Sequence, residues 1–265
     1  MTKIIGQKKL ITTLNNYNIT NLPHVLLFIG PKGCGKHTIA NYIAARYELD
    51  LVSVDDTISS EDISLFNYKT IKTLYLIDLN SYTEKQQNVF LKALEDASST
   101  AYFILIANSE AGILNTILNR SIKYHLEPYT KEQIEQITNT TVNDLAFKIF
   151  QTPGKLLNLT ETGFNDIMDL AGKTVMNIGG AEYANALVIA TKINYKDLYN
   201  KIDFNLFLDA VEYLALEDYK NTANEWSFAV FKITNLFKQY ATQQRLIKET
   251  LMLNYITTLW EALHG

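Results

Sequence analysis

The clearest chemistry in the chain is carried by seven residues, Gly30-Pro31-Lys32-Gly33-Cys34-Gly35-Lys36, a G-x-x-x-x-G-K string set between an apolar run and a helix-forming stretch. Glycines at these positions let a backbone wrap with its N–H groups turned toward phosphate oxygens. The N-terminus of the following helix favours negative charge, and Lys36 adds a point charge at the terminal phosphates. A glycine-rich turn without a ligand is the bland alternative. His37 follows where the motif wants Ser or Thr, whose hydroxyl would ligate Mg²⁺. A neutral imidazole suits a hard cation poorly, and Thr38 lies about 100° further round the helix, so weak Mg²⁺ positioning is expected. His37 is equally readable as an ordinary helix-surface residue.

Hydrolysis of a bound triphosphate needs one carboxylate on the metal side and a second acid to activate water. The run Leu76-Ile77-Asp78-Leu79-Asn80 offers Asp78 for the first role, or as a strand-end cap, but places Leu79 where the base would stand. General-base assistance is worth about 10²–10⁴ in rate, so turnover in this site is expected to be slow or absent. Asn108, ending another apolar run, reads either as a turn residue or as a polar group placed to orient water beside a γ-phosphate. Arg120 reads either as a helix-dipole partner or as a guanidinium reaching a phosphate on a neighbouring subunit, a contact worth roughly 10³–10⁵ in catalysis.

The elements needed to position these groups are legible in the periodicity. Val25–Ile29, Leu51–Val54, Leu74–Ile77 and Phe103–Ile106 read as strands buried on both faces, the pattern of a parallel sheet. Helical stretches lie between them: Lys36–Tyr47, and one entered at Thr83 with Gln86 three residues on, a capping-box spacing. The expected fold is α/β, a parallel sheet of four or five strands with helices on both faces, whose ligands sit at the carboxyl ends of the strands. Beyond Pro128 the chain turns helical. A second Thr-x-x-Gln start at Thr130 is followed by short helices, a stop is expected at Pro153-Gly154, and long one-sided stripes run through Phe204, Phe207, Leu208, Val211, Leu214 and through Met252, Ile256, Leu259, Trp260, Leu263. These stripes read as bundle core or as an oligomer interface.

Composition narrows the class. A chain of 265 residues, 47% hydrophobic and 20% charged, is long enough for a large core and a smaller attachment. One cysteine, Cys34, and four histidines exclude Cys₄ and Cys₂His₂ zinc sites and an internal disulfide. A net charge of −4 argues against a surface that grips nucleic acid throughout. With no leader-like start and no apolar run of bilayer length, the expectation is a soluble, cytoplasmic protein.

Several further strings resemble the AAA+ subunits of sliding-clamp loaders, and among them the delta-prime subunits of bacterial DNA polymerase III. Ile4-Ile5-Gly6-Gln7 is similar to the family's opening beside the adenine, and Leu22-Pro23-His24 to its lead-in to the first strand. The helix Gln87-Asn88-Val89-Phe90-Leu91-Lys92-Ala93-Leu94-Glu95-Asp96 resembles the one after the acidic strand, and Thr116-Ile117-Leu118-Asn119-Arg120-Ser121 the Thr-Ile-x-Ser-Arg-Cys string. The resemblance runs over about residues 4–130. It implies that Ile5, Gly6, Gly30, Gly33, Gly35, Lys36, His37 and Thr38 surround ATP or ADP, that Asp78 takes the metal side, that Asn108 is sensor 1 and that Arg120 is a finger acting in trans. It places Lys92 near a central DNA channel.

The departures from the family are Ser121 for its Cys, His37 for its Thr, Leu79 for its catalytic Glu, and Gly154, beside Lys155, for its sensor 2 Arg. No zinc module fits in the 41 residues between Lys36 and Asp78. The implied domains are a nucleotide-binding domain over 1–128, a helical lid over 129–162 and an all-α collar over 163–265. The implied role is a stator in a hetero-oligomer with other clamp-loader subunits, the sliding clamp and primer–template DNA, binding nucleotide weakly or structurally with little ATPase of its own and no zinc. A catalytically active clamp-loader ATPase and a DNA-binding adaptor such as a helicase loader are the alternatives.

Overall fold

The structure, a computed structural model, describes residues 4–54, 63, 66, 71–96, 100–157, 159, 161–177, 203–241 and 248–264. The described strands are Val25–Ile29 (β1), Asp50–Val54 (β2), Thr73–Asp78 (β3), Ala101–Ala107 (β4) and Ile122–His125 (β5). The described helices, in chain order, are Lys8–Asn16 (α1), Lys36–Tyr47 (α2), Glu84–Glu95 (α3), Asn115–Leu118 (α4), Lys131–Thr138 (α5), Asp144–Phe150 (α6), Pro153–Leu156 (α7), Glu161–Asn177 (α8), Phe204–Thr222 (α9), Glu225–Ala241 (α10) and Lys248–His264 (α11). They divide between two compact units, residues 1–142 with 152–157, and residues 143–151 with 158–265.

The first unit is built on one five-stranded sheet in the order β2-β3-β4-β1-β5, parallel throughout. Every residue of β1 and β4 is buried, so both faces of the sheet centre are covered and uninterrupted apolar runs are required there. The expected helix over Lys36–Tyr47 forms with those bounds, and Thr83 and Thr130 both close capping boxes, with Gln86 and Gln133. Two expectations are corrected. Leu51–Val54 is not buried on both faces: β2 is an edge strand whose Asp50 and Ser53 are exposed, because it has a neighbour on one side only. Pro153 starts a helix and does not stop one, since at the first helical position its missing N–H would have had no partner anyway.

The second unit is a helical assembly of α6 and α8–α11. Phe204, Phe207, Leu208 and Val211 are buried within it, as are Ile256 and Leu259, which makes these stretches core of the unit. The side chains of Met252 and Leu263 lie outside the described residues. Tyr255, fully buried, meets Phe207 edge-on at 6.2 Å, and its hydroxyl is satisfied 2.7 Å from Thr234 Oγ1. Among the described residues no helix is long and apolar enough to cross a membrane.

Candidate functional site

The Gly30–Lys36 loop leaves the carboxyl end of β1 at the centre of the sheet. Gly30 N–H donates to Ala107 C=O at 3.1 Å and Leu126 N–H to Ile29 C=O at 2.8 Å, which anchors the loop's entry between β4 and β5. Gly33 (φ 84°) and Gly35 (φ 94°) are left-handed, a conformation strained for any residue with a Cβ. The N–H groups of Gly33 and Gly35 have no acceptor among the described residues, as a loop open to phosphate oxygens requires. Lys36 opens α2 and is only 7% exposed. Its ammonium donates to Gly30 C=O, to Pro31 C=O at 3.1 Å and to Asn108 Oδ1 at 3.2 Å. Burial pulls the Lys36 amine below the usual lysine range, against the pull of Cys34 and Asp78 in the other direction. Burial pushes the neighbouring Cys34 thiol up, which leaves it a small apolar filler of the loop.

The strand ends beyond the loop are joined by Asn80, a residue to which the sequence alone gives no role. Asn80 donates its backbone N–H (3.0 Å) and side-chain Nδ2 (2.5 Å) to Asp78 Oδ1, and its own Oδ1 accepts from Asn108 N–H at 3.0 Å. Asp78, Asn80, Asn108 and Lys36 therefore form one continuous polar chain across the ends of β3 and β4 to the loop. Leu79 points the other way, 2% exposed in the sheet core, so its position brings no proton acceptor to the site. The only local signal for Asn80 is the Asx-turn spacing from Asp78.

The amino-terminal string sits against the same loop. Gly6 is left-handed (φ 76°), and a Cβ there would lie 2.7 Å from the Tyr129 ring. Gln7 exchanges two hydrogen bonds with the backbone of Glu127, at 2.7 and 2.8 Å, and Tyr129 O–H donates to Cys34 C=O at 3.0 Å. Ile5 is half-buried in this string. Tyr129 and Gln7 were not assigned roles from sequence, because their partners are about a hundred residues away and leave no periodic trace.

His37 and Thr38 are both exposed on α2, and neither side chain makes a hydrogen bond among the described residues. Arg120 is apart from the polar chain. Its Nη1 donates to Thr116 C=O at 2.9 Å and its Nη2 pairs with Glu95 at the surface, with 34% of the side chain exposed. Lys92 is exposed on α3. These residues fit a phosphate-bearing nucleotide: a glycine cradle, two unspent amides, and a buried lysine at its rim. They fit a divalent cation poorly, since one oxygen of Asp78 is already taken and the residue after Lys36 offers an imidazole.

The comparisons with known proteins meet this geometry. The family model described as the Sigma-54 interaction domain matches residues 5–121. The Replication factor C small subunit of Aeropyrum pernix is 28% identical over 149 residues, covering 49% of this chain and 46% of that protein. The DNA polymerase III subunit tau/gamma of Haemophilus influenzae is 26% identical over 168 residues, 50% of this chain and 24% of that one. The chain thus spans less than half the length of these relatives. A DNA polymerase III gamma subunit-related protein of Thermotoga maritima shares the fold with a TM-score of 0.50 at 15% identity, over 95% of this chain and 98% of that one. Over about half of its length the chain is thus similar in sequence to clamp-loader proteins, and its fold is shared with a DNA polymerase III gamma subunit-related protein.

Proposed function

We propose that this chain is a clamp-loader subunit of the delta-prime kind, a stator in DNA replication that lends Arg120 to ATP bound by a neighbouring ATPase subunit. Its own loop holds ATP or ADP weakly or structurally, with little or no turnover. The observation that carries the reading is the buried, apolar Leu79 beside an otherwise complete Gly30–Lys36 loop: the cradle is kept and the water-activating acid is missing. Within that site, Lys36 and the Gly33 and Gly35 amides would hold phosphates, Asn108 would orient a γ-phosphate through the contact it now makes with Lys36, and Asp78, with one oxygen held by Asn80, would be a weak metal-side group. Ile5 and Gly6 would flank the base.

Arg120 supports the role by where it is held. An exposed ion pair such as the one with Glu95 is worth about 0–1 kcal/mol, so the guanidinium can exchange that carboxylate for a phosphate at small cost. The proposed organisation is a nucleotide-binding domain over 1–128, a lid over 129–162 and a collar over 163–265. The proposed partners are other clamp-loader subunits, the sliding clamp and primer–template DNA, in the cytoplasm.

The test is co-purification with clamp-loader subunits of the same organism, followed by ATPase assay of the assembly with Arg120→Ala. Loss of clamp- and DNA-stimulated turnover, by roughly 10³-fold or more, is the expected result. Turnover equal to that of the unsubstituted assembly removes the reading.

A further inference from the structure

The phosphate loop is clasped by a segment distant in sequence, Thr152–Leu157, which belongs to the same compact unit. Thr152, 3% exposed, donates Oγ1 to Lys32 C=O at 3.0 Å, and Gly154 N–H donates to Gly33 C=O at 2.9 Å. The two glycine backbones are in direct contact: a Cβ built on Gly154 would lie 2.7 Å from Gly33 Cα and 3.0 Å from Gly33 O. From the other side, a Cβ on Gly33 would lie 2.9 Å from Thr152 Oγ1 and 3.2 Å from Gly154 Cα. No residue but glycine at 154 permits this approach unless one of the backbones shifts.

The contact fixes more than a distance. In a trans peptide the C=O and the next N–H point in opposite directions. With Gly33 C=O held by Gly154, the Cys34 N–H is turned the other way, and it is spent inside the loop on Pro31 C=O at 3.2 Å. The Lys36 ammonium is likewise engaged by Gly30 and Pro31 carbonyls. Offering the Cys34 N–H to an anion requires rotation of the Gly33–Cys34 peptide plane, which the left-handed glycine allows and which withdraws Gly33 C=O from Gly154.

We propose that Thr152–Leu157 is an autoinhibitory latch on the phosphate loop: latch closure and binding of a nucleoside di- or triphosphate compete for the orientation of one peptide plane. The proposal rests on Gly30–Lys36 being a phosphate-binding loop. The latch would weaken nucleotide binding by a loop whose motif is nearly complete, and it gives Gly154 a role of its own. The apparent affinity of the closed population falls in proportion to the fraction of molecules with the latch open.

The experiment is a titration of the full chain with ribose-labelled fluorescent ADP, comparing the natural sequence with Gly154→Ala, Thr152→Val and Lys36→Ala. Alanine at 154 favours helix where it sits, so Gly154→Ala opens the latch without removing α7. Thr152→Val removes one clasp bond while keeping volume, and preserved amide protection in β1 and β4 checks that both variants are folded. Both latch variants are expected to bind labelled ADP about tenfold tighter or more. In the natural chain, saturating ADP should accelerate hydrogen exchange at the Gly154 amide.

If neither variant binds tighter, or if Gly154 keeps its protection at saturating ADP, the latch is overturned while the phosphate loop stands. ADP binding that survives Lys36→Ala in every background overturns the phosphate-loop reading itself, and the latch with it.

Discussion

Lys36 shows how far one residue constrains the site. Its ammonium is buried and shared among two loop carbonyls and Asn108, and burial lowers its pKa below the ordinary value of 10.5. Between the folded and the unfolded pKa the unfolded chain therefore binds more protons, and stability rises with pH across that window. Urea unfolding of the natural chain and of Lys36→Met, compared from neutral pH toward 10.5, should show this rise in the difference between the two; a flat or falling difference would contradict it. Asn80 sets a second limit. Asn80→Ala leaves Asn108 N–H without its partner and removes one of the two bonds to Asp78 Oδ1, at about 1–3 kcal/mol, and should uncouple the two strand ends. The loop, Asp78, Leu79, Asn108 and Arg120 could be singled out in the sequence as candidates because each follows a recognisable run by a fixed spacing. Asn80, Gln7, Tyr129 and Thr152 could not, because what ties them to the site is a partner brought near by the fold.

At the level of elements, α3 ties the site to the Arg120 helix. Its first turn is closed by the Thr83–Gln86 box, and Gln87, 1% exposed, donates to Gly112 C=O at 2.7 Å and accepts from Leu114 N–H at 3.1 Å just before α4. Thr83→Ala is expected to cost about 1 kcal/mol in chemical denaturation, the usual price of an N-cap. Gln87→Ala should cost more, about 2 kcal/mol or above, because it removes two side-chain-to-backbone hydrogen bonds and leaves space where a buried side chain stood. Equal losses for the two variants would show that Gln87 is not the link described. Periodicity found α2, α3 and the three central strands because apolar runs and capping spacings are local signals. It overstated the burial of β2, whose edge position is set by strand order, and it missed β5, whose Ile122-Lys123-Tyr124-His125 alternates weakly and remains largely exposed. Pro153 was misread because a proline before a helix and a proline after one look alike until the partner of its neighbours is known.

At the scale of the whole molecule, the sheet with its loop occupies one compact unit and the long apolar stripes are spent on the core of the other. The two units differ in kind: the glycine loop and its polar chain in the first, a helical frame in the second. The proposed division of labour makes a direct demand on the isolated protein. On the proposed reading, with Leu79 buried where a base would stand and Arg120 paired at the surface away from the loop, the chain would hold an anion without cutting it. The deciding measurement is steady-state ATP turnover by the purified chain alone with Mg²⁺, set against its Lys36→Ala variant. The account predicts that the two rates coincide at background; brisk phosphate release by the natural chain that disappears with Lys36→Ala would contradict it.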